Sequence, residues 1–381
     1  MGPLVPHVPL DARALTLEDP NLGNATLANG TRLSDAFVWL SIDTEKPENA
    51  GFVARFPNRV WPTLYVLSPD ARTVRLSWGG SATSNELVAL LSDLEAGGAR
   101  STFAEACAHM ASKRDAEART AFEAIVADST ASLGTRSRAA EALASLYEKE
   151  PDRVIALAKR VVPWMPPSSS RAATLVAALA ALDASKTTDE LIVAEATEAA
   201  DASTLVPDDR SGIYEALVEH HAARKEASKK RSSAARWAAF LERTALAART
   251  KEERFVYDAH RLLAAEALGE VPKLVPALEA SLREFPNDGN AHARMAKALS
   301  LSGRESEALL AARRALALLE GPRALRAGQL VADVLEKAGN RAEAADALDV
   351  ALTKTARLPL TPNQKKLFET CEKRRTALRA P

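Results

Sequence analysis

SLSGRESEALLAARRALAL at residues 300–318 and EKAGNRAEAADALDVAL at residues 336–352 are two copies of one pattern. Aligned on Gly303 and Gly339, they place Ala308 over Ala344 and Ala315 over Ala351, small residues that let two paired helices approach closely. Gly269 precedes Gly303 by 34 residues, and Gly339 follows it by 36. Apolar residues recur at helical spacing on both sides of each glycine, so each glycine marks the turn of a helix pair. A helix pair repeated every 34 residues or so reads as a solenoid rather than a closed bundle.

Working outward, almost everything from Thr102 onward is Ala, Leu, Glu, Arg and Lys at i, i+3, i+4, i+7 spacing. Punctuation falls at Gly134, Pro151, PWMPPSSS (163–170), LVPDD (205–209), FPNDGN (285–290), Gly321-Pro322 and LPLTP (358–362). Together with the three glycines, these breaks delimit about fifteen helices of roughly 11 to 20 residues, joined by short loops as in antiparallel pairs. Residues 255–356, three units, resemble the tetratricopeptide family. The family's signature Trp and Tyr positions are not kept, and Ala296 stands where it often has Gly. Between Thr102 and Thr250 the helix lengths are similar but no clean 34-residue register exists. Two readings stay open for that stretch, degenerate repeats of the same superhelix or a separate helical subdomain.

The tetratricopeptide resemblance implies a concave groove, lined by the first helix of each pair, that takes a protein or peptide. Its groove positions fall on Val256, Ala259 and Leu263, then Asn290, Ala293 and Lys297, then Arg326, Gln329 and Asp333. Asn290, Lys297, Arg326, Gln329 and Asp333 are the polar candidates among them. They do not reproduce the Lys, Asn and Arg set with which some members clamp a terminal carboxylate.

Before residue 96 the texture is α/β. FVWLSID (37–43) reads as a strand, ENAGFVARF (48–56) as a short helix, VWPTLYVLSPDARTVRLSWGG (60–80) as a corner leading into two strands, and SNELVALLSDL (84–94) as an amphipathic helix. This succession resembles the second half of a thioredoxin fold, with Trp61, Pro62 and Thr63 forming the corner that in that family faces a Cys-x-x-Cys pair. No such pair exists here. Pro3, Pro6 and Pro9 each remove a backbone donor that a central strand needs, and LDARALTL (10–17) reads as the first helix instead. Either the dithiol segment lies upstream of Met1, or the domain is a non-redox relative. The expected architecture is therefore mainly α: a small thioredoxin-like α/β domain over 1–96, its first strand missing or degenerate, followed by an α-solenoid over 102–381.

The composition narrows the function. Fifty basic and fifty acidic side chains cancel, which removes the field that a nucleic-acid or anionic-membrane binder presents. The 47% hydrophobic content suits a sizeable soluble core. Cys107 and Cys371 lie far apart in helical surroundings, so neither a disulfide framework nor a metal knuckle is expected. Of the six histidines only His220 and His221 are adjacent, and they read as a solvated helix end. The basic cluster Arg224, Lys225, Lys229, Lys230, Arg231 and Arg236 reads as a solvated face. With no phosphate loop, nucleophile elbow or zinc motif, no catalytic residue, metal or cofactor is expected. MGPLVPHVPL has no signal-peptide pattern, so with Met1 as the start the expected location is cytoplasmic. These features point to a non-catalytic interaction or scaffold protein. The alternative is a thiol-disulfide oxidoreductase whose dithiol segment is absent from this chain.

Overall fold

A helix that ends in solvent must satisfy its last carbonyls, and here one turn does so again and again. In the computed structural model, which describes residues 12–14, 30–42, 47–56, 63–79, 85, 87–88, 91–92, 94, 101–358, 360 and 362–380, Gly269, Gly303 and Gly339 adopt φ of 71°, 75° and 79°. The N–H of the following residue returns in each case to a carbonyl five residues back: Glu270 to Ala265 at 2.8 Å, Arg304 to Leu299 at 2.9 Å, Asn340 to Leu335 at 2.8 Å. This left-handed cap closes the first helix and starts the second within a few residues.

The described residues form two compact units, one built chiefly on residues 58–233 and the other on residues 234–381. The first elements among the described residues are β1 (Ala12–Ala14), α1 (Leu33–Ala36), β2 (Leu40–Ile42), α2 (Ala50–Arg55), β3 (Thr63–Leu67) and β4 (Val74–Gly79). β1 pairs with β2, and β3 with β4, as two separate two-stranded sheets. β1 lies within the stretch read from the sequence as a first helix. It starts beyond Pro9, where backbone donors are again present.

β3 and β4 run antiparallel in the register Leu64 to Trp78 and Val66 to Leu76. Their turn is held by Ser68 and Asp70. The Ser68 hydroxyl donates to Asp70 Oδ1 at 2.5 Å and Arg72 N–H to the same oxygen at 3.1 Å, which holds the Asp70 carboxyl below its usual range.

In the first unit come α3 (Ser101–Ala111), α4 (Asp115–Ala127), α5 (Leu133–Leu146), α6 (Pro151–Val161), α7 (Ser169–Ser185), α8 (Glu190–Asp201) and α9 (Pro207–Ala223). α10 (Ala227–Ala247) follows and contains the division at Ser233. The second unit holds α11 (Lys251–Val256), α12 (Asp258–Leu268), α13 (Val271–Glu284), α14 (Gly289–Leu301), α15 (Glu305–Leu318), α16 (Gly321–Lys337), α17 (Arg341–Thr355) and α18 (Pro362–Arg379). Within a unit, helices pack on the next one or two along the chain: α5 on α7 and α7 on α9, α14 on α16 and α16 on α18. Such near-neighbour packing defines an α-solenoid.

The first unit uses the same turn with lysine in place of glycine. Lys113, Lys186 and Lys225 have φ of 59°, 57° and 59°, and the returning bonds are Arg114 N–H to His109 O at 2.9 Å, Thr187 to Leu182 at 3.1 Å and Glu226 to His221 at 2.9 Å. Helix starts are marked by side-chain caps from Ser132, Ser168, Asp189, Thr250 and Asp288. Basic side chains close the other ends across elements. Arg136 Nε donates to Val126 O at 3.1 Å and Arg210 Nε to Ala200 O at 2.9 Å, each reaching from the start of a first helix to the end of the preceding second helix. Lys354 of α17 likewise donates to the carbonyls of Leu316 and Leu319, within and just beyond the end of α15.

The hairpin is continuous with the helical core. Val66, Leu76 and Trp78 belong to one buried cluster with Leu91, Leu94, Phe103, Cys107 and Phe122, the Phe103 and Phe122 rings meeting edge to face at 5.6 Å. Residues on both sides of the 96–102 boundary expected from the sequence contribute to that cluster. In the second unit Ala308, Ala315, Ala344 and Ala351 are all fully buried.

Gly328 of α16 shows how close the helices come. A methyl group there would sit 2.5 Å from Ala351 Cβ and 3.3 Å from Ala347 O of α17. Gly212, inside α9, has nothing within 4 Å of the equivalent position. The same substitution therefore acts with opposite signs. Gly328→Ala destabilises by about 2 kcal/mol from overpacking, net of the helix propensity gained. Gly212→Ala stabilises by about 0.5 to 1 kcal/mol. Urea unfolding of the two variants checks both signs.

Candidate functional site

The first helices of the second unit, α12, α14 and α16, carry the groove positions expected from the sequence, and each packs against the next. Val256, at the end of α11, is 60% exposed and Ala259 is exposed, while Leu263, Asn290, Ala293, Lys297 and Gln329 are half-buried and Arg326 and Asp333 exposed. The structure divides the five polar candidates by what they already bind. Lys297 reaches back to Glu266 of α12 at 2.6 Å. Asp333 accepts from Arg374 of α18 at 2.6 Å, beside Glu336 on the same guanidinium. Among the described residues the side chains of Asn290, Arg326 and Gln329 make no hydrogen bond or ion pair, and each is at least partly exposed.

Arg294 joins this face, four residues after Asn290 and three before Lys297. It stacks on Phe255, with Cζ 4.2 Å from the ring centre, and Phe255 in turn lies 4.4 Å from Phe285. Its Nε and Nη2 are buried without a protein partner. Burial pushes the guanidinium pKa down, and the nearby Asp258 and Asp288 carboxylates oppose that shift. Asp258 is fully buried and accepts from Arg261 at 3.2 Å through one oxygen, leaving the other unpartnered. The sequence signal for Arg294 was its i+4 relation to Asn290, which an alignment on the turn glycines alone passes over.

Thr63 opens β3 opposite Gly79 and is half-buried. Trp61 and Pro62, the rest of the thioredoxin-like corner, lie outside the described residues. His220 and His221 are not a solvated helix end: they are 3% and 5% exposed. His220 Nδ1 lies 2.7 Å from Asp183 Oδ1 and His221 Nδ1 2.8 Å from Glu226 Oε2. Arg224 leaves the basic cluster for the same reason, bonded to His220 and to the Thr187 carbonyl. Lys225, Lys229, Arg231 and Arg236 of that cluster are exposed.

Among the described residues no group of three or more His, Cys, Asp or Glu is placed to hold a metal ion, and no helix is long and apolar enough to cross a membrane. Cys107 and Cys371 are free and buried. Burial pushes the Cys107 thiol up to about 12. Cys371 is raised for the same reason.

No protein-family model matches the chain, and no curated protein matches it. Among solved structures, BtubC (BKLC) from P. vanneervenii is 13% identical, aligned over 61% of this chain and 91% of that one, with a TM-score of 0.36. The TPR2AB-domain:pHSP90 complex of yeast Sti1 is 15% identical over 73% of this chain and 98% of that one, with a TM-score of 0.28. Both scores lie below 0.5, and the description of the solenoid rests on the chain's own turns and packing.

The thiol chemistry gives a direct check. Since only the thiolate attacks, a pKa raised from 9.0 to about 12 leaves about a thousandfold less thiolate near pH 8. A disulfide reagent should leave Cys107 and Cys371 untouched in the native chain and titrate both in guanidinium. Rapid native labelling of Cys107 would show that its burial is not maintained.

Proposed function

We propose that this chain is a non-catalytic scaffold that binds a protein or peptide along the first helices of its second unit. The observation that carries this reading is the row Asn290, Arg326 and Gln329 on α14 and α16. These side chains have hydrogen-bonding groups that no other part of the described chain uses. An extended peptide offers the complementary pattern, with carbonyls for the arginine donors and both donors and acceptors for the two carboxamides. Exposed Val256 and half-buried Leu263 add apolar surface on the neighbouring helices.

For the N-terminal part we infer a degenerate thioredoxin-like element. Its support is the order of elements: β2, α2, the antiparallel pair β3 and β4, then helical residues between 85 and 94 follow one another as in the second half of that fold. Its role here is packing, because the inward face of the hairpin covers α3. A thiol-disulfide exchange activity of the chain as it stands finds no support, since both thiols are buried.

The test compares the intact chain with the triple variant Asn290→Ala, Arg326→Glu, Gln329→Ala. Proteins cross-linked to the immobilised wild type should be retained at least about tenfold less well by the variant, as expected when several central polar contacts are lost. Leu310→Ser, on the exposed face of the second helix α15, should leave retention unchanged. Equal retention by a triple variant of native helical content would overturn the proposal.

A further inference from the structure

We propose that Asp183, His220 and Arg224 form an acid-sensitive latch between two successive helix pairs, closed by neutral His220 and opened when a proton reaches its Nε2. The geometry fixes the closed form. A guanidinium always carries its Nε proton, so Arg224 Nε, 3.1 Å from His220 Nε2, must donate to it. Nε2 is therefore a bare lone pair, and the single imidazole proton sits on Nδ1, donating to Asp183 Oδ1 at 2.7 Å. Arg224 Nη2 donates at the same time to the Thr187 carbonyl, in the turn between α7 and α8. One arginine thus ties the end of α9 to the preceding turn through Nη2 while its Nε is held by the unprotonated His220 nitrogen.

A proton added to Nε2 would face the Arg224 N–H directly, two donors between two cations. That arrangement cannot persist at 3.1 Å. The His220 to Asp183 contact survives as an ion pair, and Arg224 must move off His220, which draws the same guanidinium away from the Thr187 carbonyl in the opened latch. The other charged groups around His220 do not take over. His221, beside it on α9, is engaged with Glu226, and Glu226 is shared with Lys229 of α10. Asp189, at the start of α8, is paired with Lys159 at 2.6 Å.

Burial is the main cause that lowers the His220 pKa below 6.5, with Asp183 opposing and Arg224 and His221 adding to the fall. The folded chain then binds fewer protons than the unfolded one just below that value. Stability contributed by the latch is complete above 6.5 and is lost as the pH falls from there towards the folded-state pKa.

Hydrogen exchange of the backbone amides at 221–226, corrected for intrinsic rate and followed on the intact protein from about pH 7.5 down to about pH 5.5, reads the opening. Protection should fall by up to about tenfold per pH unit below 6.5, the limit for one proton. His220→Gln can donate to Asp183 and accept from Arg224 but gains no proton, so its protection should stay flat. His221→Gln should keep the wild-type fall. The same fall in His220→Gln would overturn the latch. Nitrogen-15 shifts of the wild-type imidazole decide the matter independently of how any variant folds. A proton on Nδ1 near neutral pH is expected, and one on Nε2 would refute the proposal.

Discussion

The structure depends on a backbone constraint at the end of six of its first helices: a residue in the left-handed region lets the next N–H return to a carbonyl five residues back. Without it the chain would leave the helix with unsatisfied carbonyls and at a wider angle, and the second helix could not lie against the first. Repeating that turn at Gly269, Gly303 and Gly339, and at Lys113, Lys186 and Lys225, sets up the packing of one pair on the next. Buried alanines and Gly328 then allow the short interhelical distance. Because each pair touches only its neighbours, stability is spread along each stack rather than concentrated in one core.

A stack of helix pairs leaves terminal faces that some other element must cover. In the unit on residues 58–233 the hairpin of β3 and β4 covers α3, burying Leu76 and Trp78 against helical side chains. In the other unit α18 covers α17, with Cys371 and Leu378 buried in the shared core and Arg375 holding Asp349 at 3.0 Å.

What the sequence disclosed follows from the residue chosen at each turn. Glycine at φ near 75° is visible because little else is so suited to that conformation, and three of them at regular spacing announce the solenoid over 255–356. Lysine at the same φ costs about 1 kcal/mol of backbone strain, a cost its charge near a helix C-terminus partly offsets. It carries no signature, so the first unit showed no register although its turns are the same. The strand, helix and hairpin succession over 37–79 was legible from alternation. What the hairpin packs on was not, because a period of two reports a half-buried face and is silent about its partner. The adjacent histidines misled for a related reason: their partners Asp183 and Glu226 are ordinary surface residues by composition, and only the turn geometry brings them to the rings.

The same logic separates structural from available polar groups on the first-helix face. Sequence spacing puts Lys297 and Asp333 in the groove as firmly as Asn290 and Arg326, since periodicity assigns a face and not a partner. Their partners, Glu266 and Arg374, stand on the neighbouring first helix in each case, and no local rule connects positions a whole repeat apart. Half-exposed pairs of this kind contribute little to stability, about 1 kcal/mol or less each. Under the proposed function their larger effect is on recognition. A charge already matched within the stack offers an incoming chain no gain without first losing its present partner, whereas Asn290, Arg326 and Gln329 can bond without breaking anything. On the proposed reading, specificity on this face would reside in the residues that the fold itself leaves unused.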